Sequence, residues 1–215
     1  MSLLDDENIL IDDIRNESFK KIHCDMLGRV YMTKHGDFGY VWDIKADGTP
    51  KTLMRVSSEP VNLRYLFDLE KSINKFEKNE GWYIPTKEQF LKSLSWADLS
   101  KHQPTIIDDI VKHMLSNIGT QFCEINYKYL MKNQQCPLTI VGGRYWLKDG
   151  ESYDLNTVIN IYPSISLQFN QSELHKILFL KDLEEDEIQS YEDSDKMINK
   201  MMNNLSVRSS EEILI

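Results

Sequence analysis

Residues 81–90 read Gly81-Trp82-Tyr83-Ile84-Pro85-Thr86-Lys87-Glu88-Gln89-Phe90, and this stretch decides how the chain divides into elements. Pro85 has no amide hydrogen and would clash with a preceding helical turn, so no helix runs through it from upstream. Thr86 and Gln89 have capping-box spacing. The threonine hydroxyl can accept from the amide three residues on, and the glutamine carbonyl can reach back to the amide of Thr86. Phe90, Leu91 and Leu94 give the new helix a side to bury. Residues 81–86 are therefore expected to form a rigid extended link, with Trp82 and Ile84 turned inward, leading into a short helix over 87–95.

Working upstream, residues 60–79 read as a helix. Pro60 suits its first turn, and Leu63, Leu66, Phe67, Ile73 and Phe76 fall on one face. Gly81 follows as a residue able to take the left-handed conformation that ends a helix. Earlier still the period drops to two. Residues 28–32 are followed by Phe38, Tyr40, Trp42 and Ile44, with His35-Gly36-Asp37 as a turn. Asp47-Gly48 marks a second turn, and Thr52–Val56 returns, which predicts antiparallel strands with one aromatic face. Residues 3–22 mix acids with scattered apolar positions and read as a loose or helical lead-in.

Downstream, Ile106, Ile107, Ile110, Val111, Met114, Leu115 and Ile118 keep helical spacing, with Pro104 at the start and Gly119 as the expected stop. Cys123, Ile125, Tyr127, Tyr129 and Met131 then alternate as in a strand. Leu138–Val141 and Tyr145–Leu147 flank Gly142-Gly143, a predicted tight turn. Thr157–Ile161 and Ile165–Phe169 read as strands around Pro163. Past residue 183 come two acidic runs, 184–187 and 192–195, and a stripe of Ile188, Tyr191, Ile198, Met201, Met202 and Leu205 that could form a helix. The expected division is a lead-in over 1–26, an α+β domain over 27–170, and an acidic, helical C-terminal extension over 171–215.

Composition narrows the function classes. Hydrophobic residues make up 41% and charged residues 27% of the 215, proportions that fold into a core. The formal charge of -9 repels phosphate, so nucleic acid is a poor partner and an anionic membrane no better. No window approaches the roughly 18 apolar residues of a membrane helix. Three cysteines give no disulfide framework, leaving Cys123–Cys136 as the one conceivable bridge, and the five histidines show no zinc spacing with them.

The motif search is empty of chemistry. There is no phosphate-binding loop, nucleophile elbow, zinc-protease helix or dinucleotide fingerprint. His23-Cys24-Asp25 holds catalytic residue types, but neighbours along a strand point to opposite faces. Asp43, Asp47, Asp149, Glu151 and Asp154 lack the order of a calcium loop. No catalytic residue, metal ligand or cofactor is expected. Met197, Met201 and Met202 form either an adaptable partner surface or a face packed on the domain itself.

The segment from Gly81 to Phe90 resembles the signature of bacterial C-type-lectin-like modules of the major paralogous domain type: Gly-Trp, an Arg or Tyr, an aliphatic residue, Pro, then Ser or Thr opening a helix with Glu near its start. Gly28-Arg29-Val30-Tyr31 and Gly39–Ile44 look like that family's opening strands, and Gly143-Arg144-Tyr145-Trp146 like its Tyr-Trp strand. Leu147-Lys148-Asp149 departs from the family's Ser-Ser-Thr, and Val207-Arg208 stands where a closing Val-Arg is sought. No Glu-Pro-Asn or Trp-Asn-Asp triplet is present, so no lectin-type calcium and sugar site carries over. The resemblance implies a lectin-like α+β fold, with a small twisted antiparallel sheet flanked by two or three helices. Gly81, Trp82, Pro85, Thr86 and Gln89 are its structural signature.

It also implies a non-enzymatic binding or structural module, surface- or phage-associated, with a protein or glycan ligand. The ligand is then expected at Trp42 and at the loops around 146–153, with Trp146, Asp149 and Tyr153, where exposed aromatics would be the anchors. Two other readings stand beside it. One is an intracellular acidic protein of the immunity type, holding a basic partner by charge. The other is an enzyme whose catalytic groups converge only in space. The sequence as written, without a secretory leader, predicts a cytoplasmic chain; the resemblance predicts an extracellular one that has lost its leader.

Overall fold

A computed structural model describes residues 25–57, 60, 81–93, 104–136, 138–141, 143–148, 155–160, 166–169 and 174–211. Among the described residues seven strands join in one sheet: β1 (Val30–Met32), β2 (Phe38–Ile44), β3 (Pro50–Val56), β4 (Arg144–Lys148), β5 (Leu155–Asn160), β6 (Ser166–Phe169) and β7 (Lys176–Asp182). Their order is β1-β2-β3-β7-β4-β5-β6. All neighbouring pairs are antiparallel except β4 and β7, which run parallel through Tyr145↔Lys176 and Trp146↔Ile177. Among the described residues three helices accompany the sheet: α1 (Lys87–Ser93), α2 (Pro104–Leu130) and α3 (Tyr191–Glu211). The class is α+β, as the patterning predicts. Among the described residues no helix is long and apolar enough to cross a membrane.

Alternation in β2 predicts one buried aromatic face, yet all seven of its residues are buried. The sheet is covered on both sides here, so Val41 and Asp43 are enclosed as well as Tyr40 and Trp42. On one side Trp42 meets Phe90 of α1, ring centroids 5.6 Å apart, and donates its indole N–H to Ser93. Gly28 packs directly against α2. A Cβ there would stand 2.2 Å from the Met114 carbonyl oxygen, and its φ of 77° is one that L side chains rarely adopt. Glycine is thus required twice over at this point.

The sheet edge at β1 is protected by side chains rather than left open. The Val30 amide donates to Gln121 Oε1 of α2 at 2.8 Å, and the Met32 amide to Ser194 Oγ of α3 at 2.8 Å. Two N–H groups that would template a foreign strand are thereby occupied. Arg29 pairs with Asp195 of α3 at 2.6 Å, and Tyr31 and Gln189 exchange hydrogen bonds just before that helix begins.

Several expectations are corrected. Helix α2 does not stop at Gly119; it runs through to Leu130, so Cys123–Met131 is no strand. Ile118, Ile125 and Tyr129 are the buried positions there, spaced by whole helical turns, while Cys123 and Tyr127 are exposed. The true stop is Asn133, whose φ is 54°. The Gln134 amide reaches the Tyr129 carbonyl and the Asn133 amide the Leu130 carbonyl, each at 3.0 Å, as in a Schellman cap. Leu138–Val141 is not a strand either.

The expected boundary at residue 170 cuts through the sheet. Strand β7, from the supposed extension, lies between β3 and β4 with Ile177–Leu180 fully buried. Residues 171–215 therefore include a central strand as well as the helix expected there. Val207-Arg208 lies in α3, so no closing strand exists at that place. Residues 61–79 of the helix expected over 60–79, residues 1–24 of the lead-in expected over 1–26 and the Gly142 half of the glycine pair lie outside the described residues.

Candidate functional site

Strands β4 and β7 pair over two residues and then diverge. The link at 81–86 fills the fork. Tyr83 bridges Leu180 of β7 through two backbone hydrogen bonds of 2.9 Å, and Thr86 bridges Lys148 of β4, whose amide donates to the Pro85 carbonyl at 3.0 Å. Trp82, Ile84 and Pro85 are buried in this joint. The capping box forms as the spacing predicts. The Gln89 amide donates to Thr86 Oγ1 at 3.1 Å, and the Thr86 amide to Gln89 Oε1 at 2.9 Å.

Beneath Trp82 sits a buried charged cluster. Lys181 Nζ lies 2.6 Å from Asp37 Oδ2 and 2.7 Å from Glu187 Oε1. The tight turn between β1 and β2 positions Asp37: its amide donates to Thr33 Oγ1 and its carbonyl accepts from the Thr33 amide. Glu187 is held by the Glu184 amide, which donates to its Oε2 at 2.9 Å. Burial would by itself lower the Lys181 ammonium. Its hydrogen bonds to Asp37 and Glu187, aided by their charges, outweigh that and hold it above the ordinary value. Arg55 covers the Trp82 ring, 4.7 Å from its centroid, and donates to the Phe38 carbonyl. Burial lowers its pKa, and the Asp37 charge opposes that shift.

On the other side of the same link lies an open cleft of about 370 Å³, lined by Lys51, Thr52, Tyr83, Gln89, Lys92, Ser93 and Asp182. Asp182 accepts from the hydroxyls of Thr52 at 2.8 Å and Tyr83 at 2.9 Å. Burial and the Asp182 charge push the Tyr83 phenol up, so it stays a neutral donor. Lys51 pairs with the fully buried Asp43 at 2.8 Å, and Lys92 with Glu88 at 2.7 Å. The cleft thus offers an aromatic flank, hydroxyls, an amide and both signs of charge.

The binding residues read from sequence are not the ones placed here. Trp42 and Trp146 have 0% exposure, so neither ring can anchor a ligand. Their large apolar area is spent on the core, where Trp42 meets Phe90 and Trp146 meets His175 edge-on at 5.0 Å. Asp149 and Tyr153 lie outside the described residues, as do His23 and Cys24. Asp43 is sealed against Lys51, and Asp47 holds its own turn through Thr49, so these two acids do not meet at a cation site. Among the described residues no group of His, Cys, Asp and Glu is arranged to hold a metal. Met202 is buried, with Met197 and Met201 packed beside it, which is the self-packing alternative for that stripe.

Sequence reasoning missed Asp37, Lys181, Glu187 and Asp182 as a site. The one local signal is Lys181-Asp182, two charges closing the apolar run Ile177–Leu180. No protein-family model, curated protein or solved structure matches the chain.

Proposed function

We propose that the chain is a non-enzymatic recognition module of lectin-like architecture, serving surface- or phage-associated binding of a protein or glycan ligand. The observation that carries this reading is the Gly81–Gln89 segment itself. Its tryptophan and isoleucine are interior, its proline stiffens the link across the β4–β7 fork, and its threonine opens α1 through a reciprocal cap. These are the physical roles that the resemblance assigns to the same positions. The Tyr145-Trp146 strand is likewise an interior element, adjacent to β7.

The ligand surface in this reading is the cleft beside Tyr83, because the aromatic rings of Trp42 and Trp146 are enclosed. Donors and acceptors of mixed charge around one half-buried tyrosine suit a hydrogen-bonding ligand. The test is a backbone NMR titration of the full chain with a panel of oligosaccharides and candidate surface proteins. Amide shifts should concentrate at Lys51, Thr52, Tyr83, Gln89, Lys92 and Asp182. Tyr83→Ala should weaken binding by about tenfold. Shifts confined to another surface, with Tyr83→Ala binding normally, would remove the assignment, and chemical turnover of a bound compound would remove its non-enzymatic half.

A further inference from the structure

The Asp37–Lys181–Glu187 cluster holds every group that amide formation needs. The nucleophile touches the carboxylate it would attack: Lys181 Nζ is 2.6 Å from Asp37 Oδ2, the oxygen bonded to the electrophilic Cγ. An acid–base group touches the same nitrogen, with Glu187 Oε1 at 2.7 Å. The remaining Asp37 oxygen, Oδ1, faces the Trp82 indole N–H at 3.4 Å, and the Arg55 charge acts on the same carboxylate. Side-chain exposure is 4% for Lys181, 11% for Asp37 and 14% for Glu187, so water is largely excluded. Holding reacting groups together in a dry site supplies much of what a condensation lacks in solution.

We propose that Lys181 and Asp37 condense spontaneously into an intramolecular isopeptide bond, with Glu187 as the acid–base residue. One ammonium proton passes to Asp37 Oδ2 along the direct contact, giving an amine and a carboxylic acid. Both carboxylates favour the ammonium, so this neutral pair is a minor state, and exclusion of water raises its share. The amine lone pair attacks Cγ, and the charge that develops on Oδ1 meets the Trp82 N–H within the field of the Arg55 charge. Glu187 takes a second proton from the nitrogen and returns it to Oδ2, which departs as water. The Nζ–Cγ bond forms, the Cγ–Oδ2 bond breaks, and the third proton stays on the amide nitrogen. No oxidant or cofactor takes part. The product ties the β1–β2 turn to the central strand β7, across 144 residues of sequence. It is a single self-modification, independent of whether the cleft binds a ligand.

The test is the intact mass of the purified, denatured full chain, followed by peptide mapping. The mass should fall short of the sequence mass by one water, and a branched peptide should join Asp37 to Lys181. Lys181→Arg should restore the full mass, and Glu187→Gln should leave most of the chain unreacted. Wild-type protein that is folded by circular dichroism yet keeps its full mass after prolonged incubation overturns the proposal. So does a loss of water that persists in Lys181→Arg, or that maps to the Asp47-Gly48 or Asp149-Gly150 pairs, where a cyclic imide forms by the same loss.

Discussion

The Trp82 indole lies against Gly39 of β2, its Cη2 atom 3.1 Å from where a Cβ on that glycine would stand. The Met54 carbonyl oxygen is 3.0 Å from the same point. The absent side chain in β2 therefore makes the space that the signature tryptophan fills, and residues 43 positions apart meet as one packing unit. Arg55 closes the far side of the ring. The link into α1 is thereby fastened to the hairpin sheet as well as to β4 and β7.

Gly39→Ala should destabilise the fold by roughly 1–3 kcal/mol, the usual range for overpacking. The indole can yield by a few tenths of an ångström, but the Met54 carbonyl belongs to the β2–β3 ladder and cannot move without disturbing it. Urea unfolding should show a lower midpoint with an unchanged slope. An unchanged midpoint would mean that Trp82 does not sit where it is placed here.

The reciprocal cap makes a second prediction. Thr86→Ala should cost about 0.5–2 kcal/mol, since it strips the acceptor from the Gln89 amide and loosens the Gln89 return bond. Gln89→Ala should cost less. The two should be coupled by about 0.5 kcal/mol or more in a double-mutant cycle, because each side chain depends on the other's geometry. Strict additivity would count against a capping box.

Asp47 gives a pH prediction. The Thr49 hydroxyl and then the Thr49 amide hold its carboxyl below the ordinary carboxylate range. A depressed carboxylate contributes stability that is present above its unfolded pKa and lost as pH falls through the lower folded value. Asp47→Ala should therefore be less stable than wild type at neutral pH. The gap should close as pH drops below about 4. Thermal unfolding of both proteins across that range checks it, and a gap that widens in acid would contradict the assignment.

What was legible in the sequence was short-range. The cap joins residues three apart, and the hairpin strands are joined by brief turns, so propensity and spacing were enough for Thr86, Gln89, β1, β2 and β3. Lys176–Asp182 was not legible as a strand, because a central strand is buried on both faces and shows no alternation. Its antiparallel partner β3 lies more than a hundred residues earlier. Lys181, Asp37 and Glu187 were invisible as a cluster for the same reason. Trp42 and Trp146 were misjudged because an aromatic in an alternating strand reads alike whether its face meets solvent or another layer.

Gly119 is the sharpest case, because sequence and structure make opposite predictions for one substitution. A glycine that ends a helix in the left-handed conformation resists replacement, and alanine there should cost roughly 1 kcal/mol or more. In the structure Gly119 lies inside α2, is absent from the positive-φ residues, and has nothing within 4 Å of where its Cβ would project. Glycine in a helix interior is less favourable than alanine by about 0.5–1 kcal/mol, so Gly119→Ala should stabilise by that amount. It should also raise the protection of the 119–130 amides against hydrogen exchange, since the two halves of the helix are then held by one uninterrupted run of good helix geometry. Destabilisation would instead return the Cys123–Met131 alternation to a strand and Gly119 to a stop.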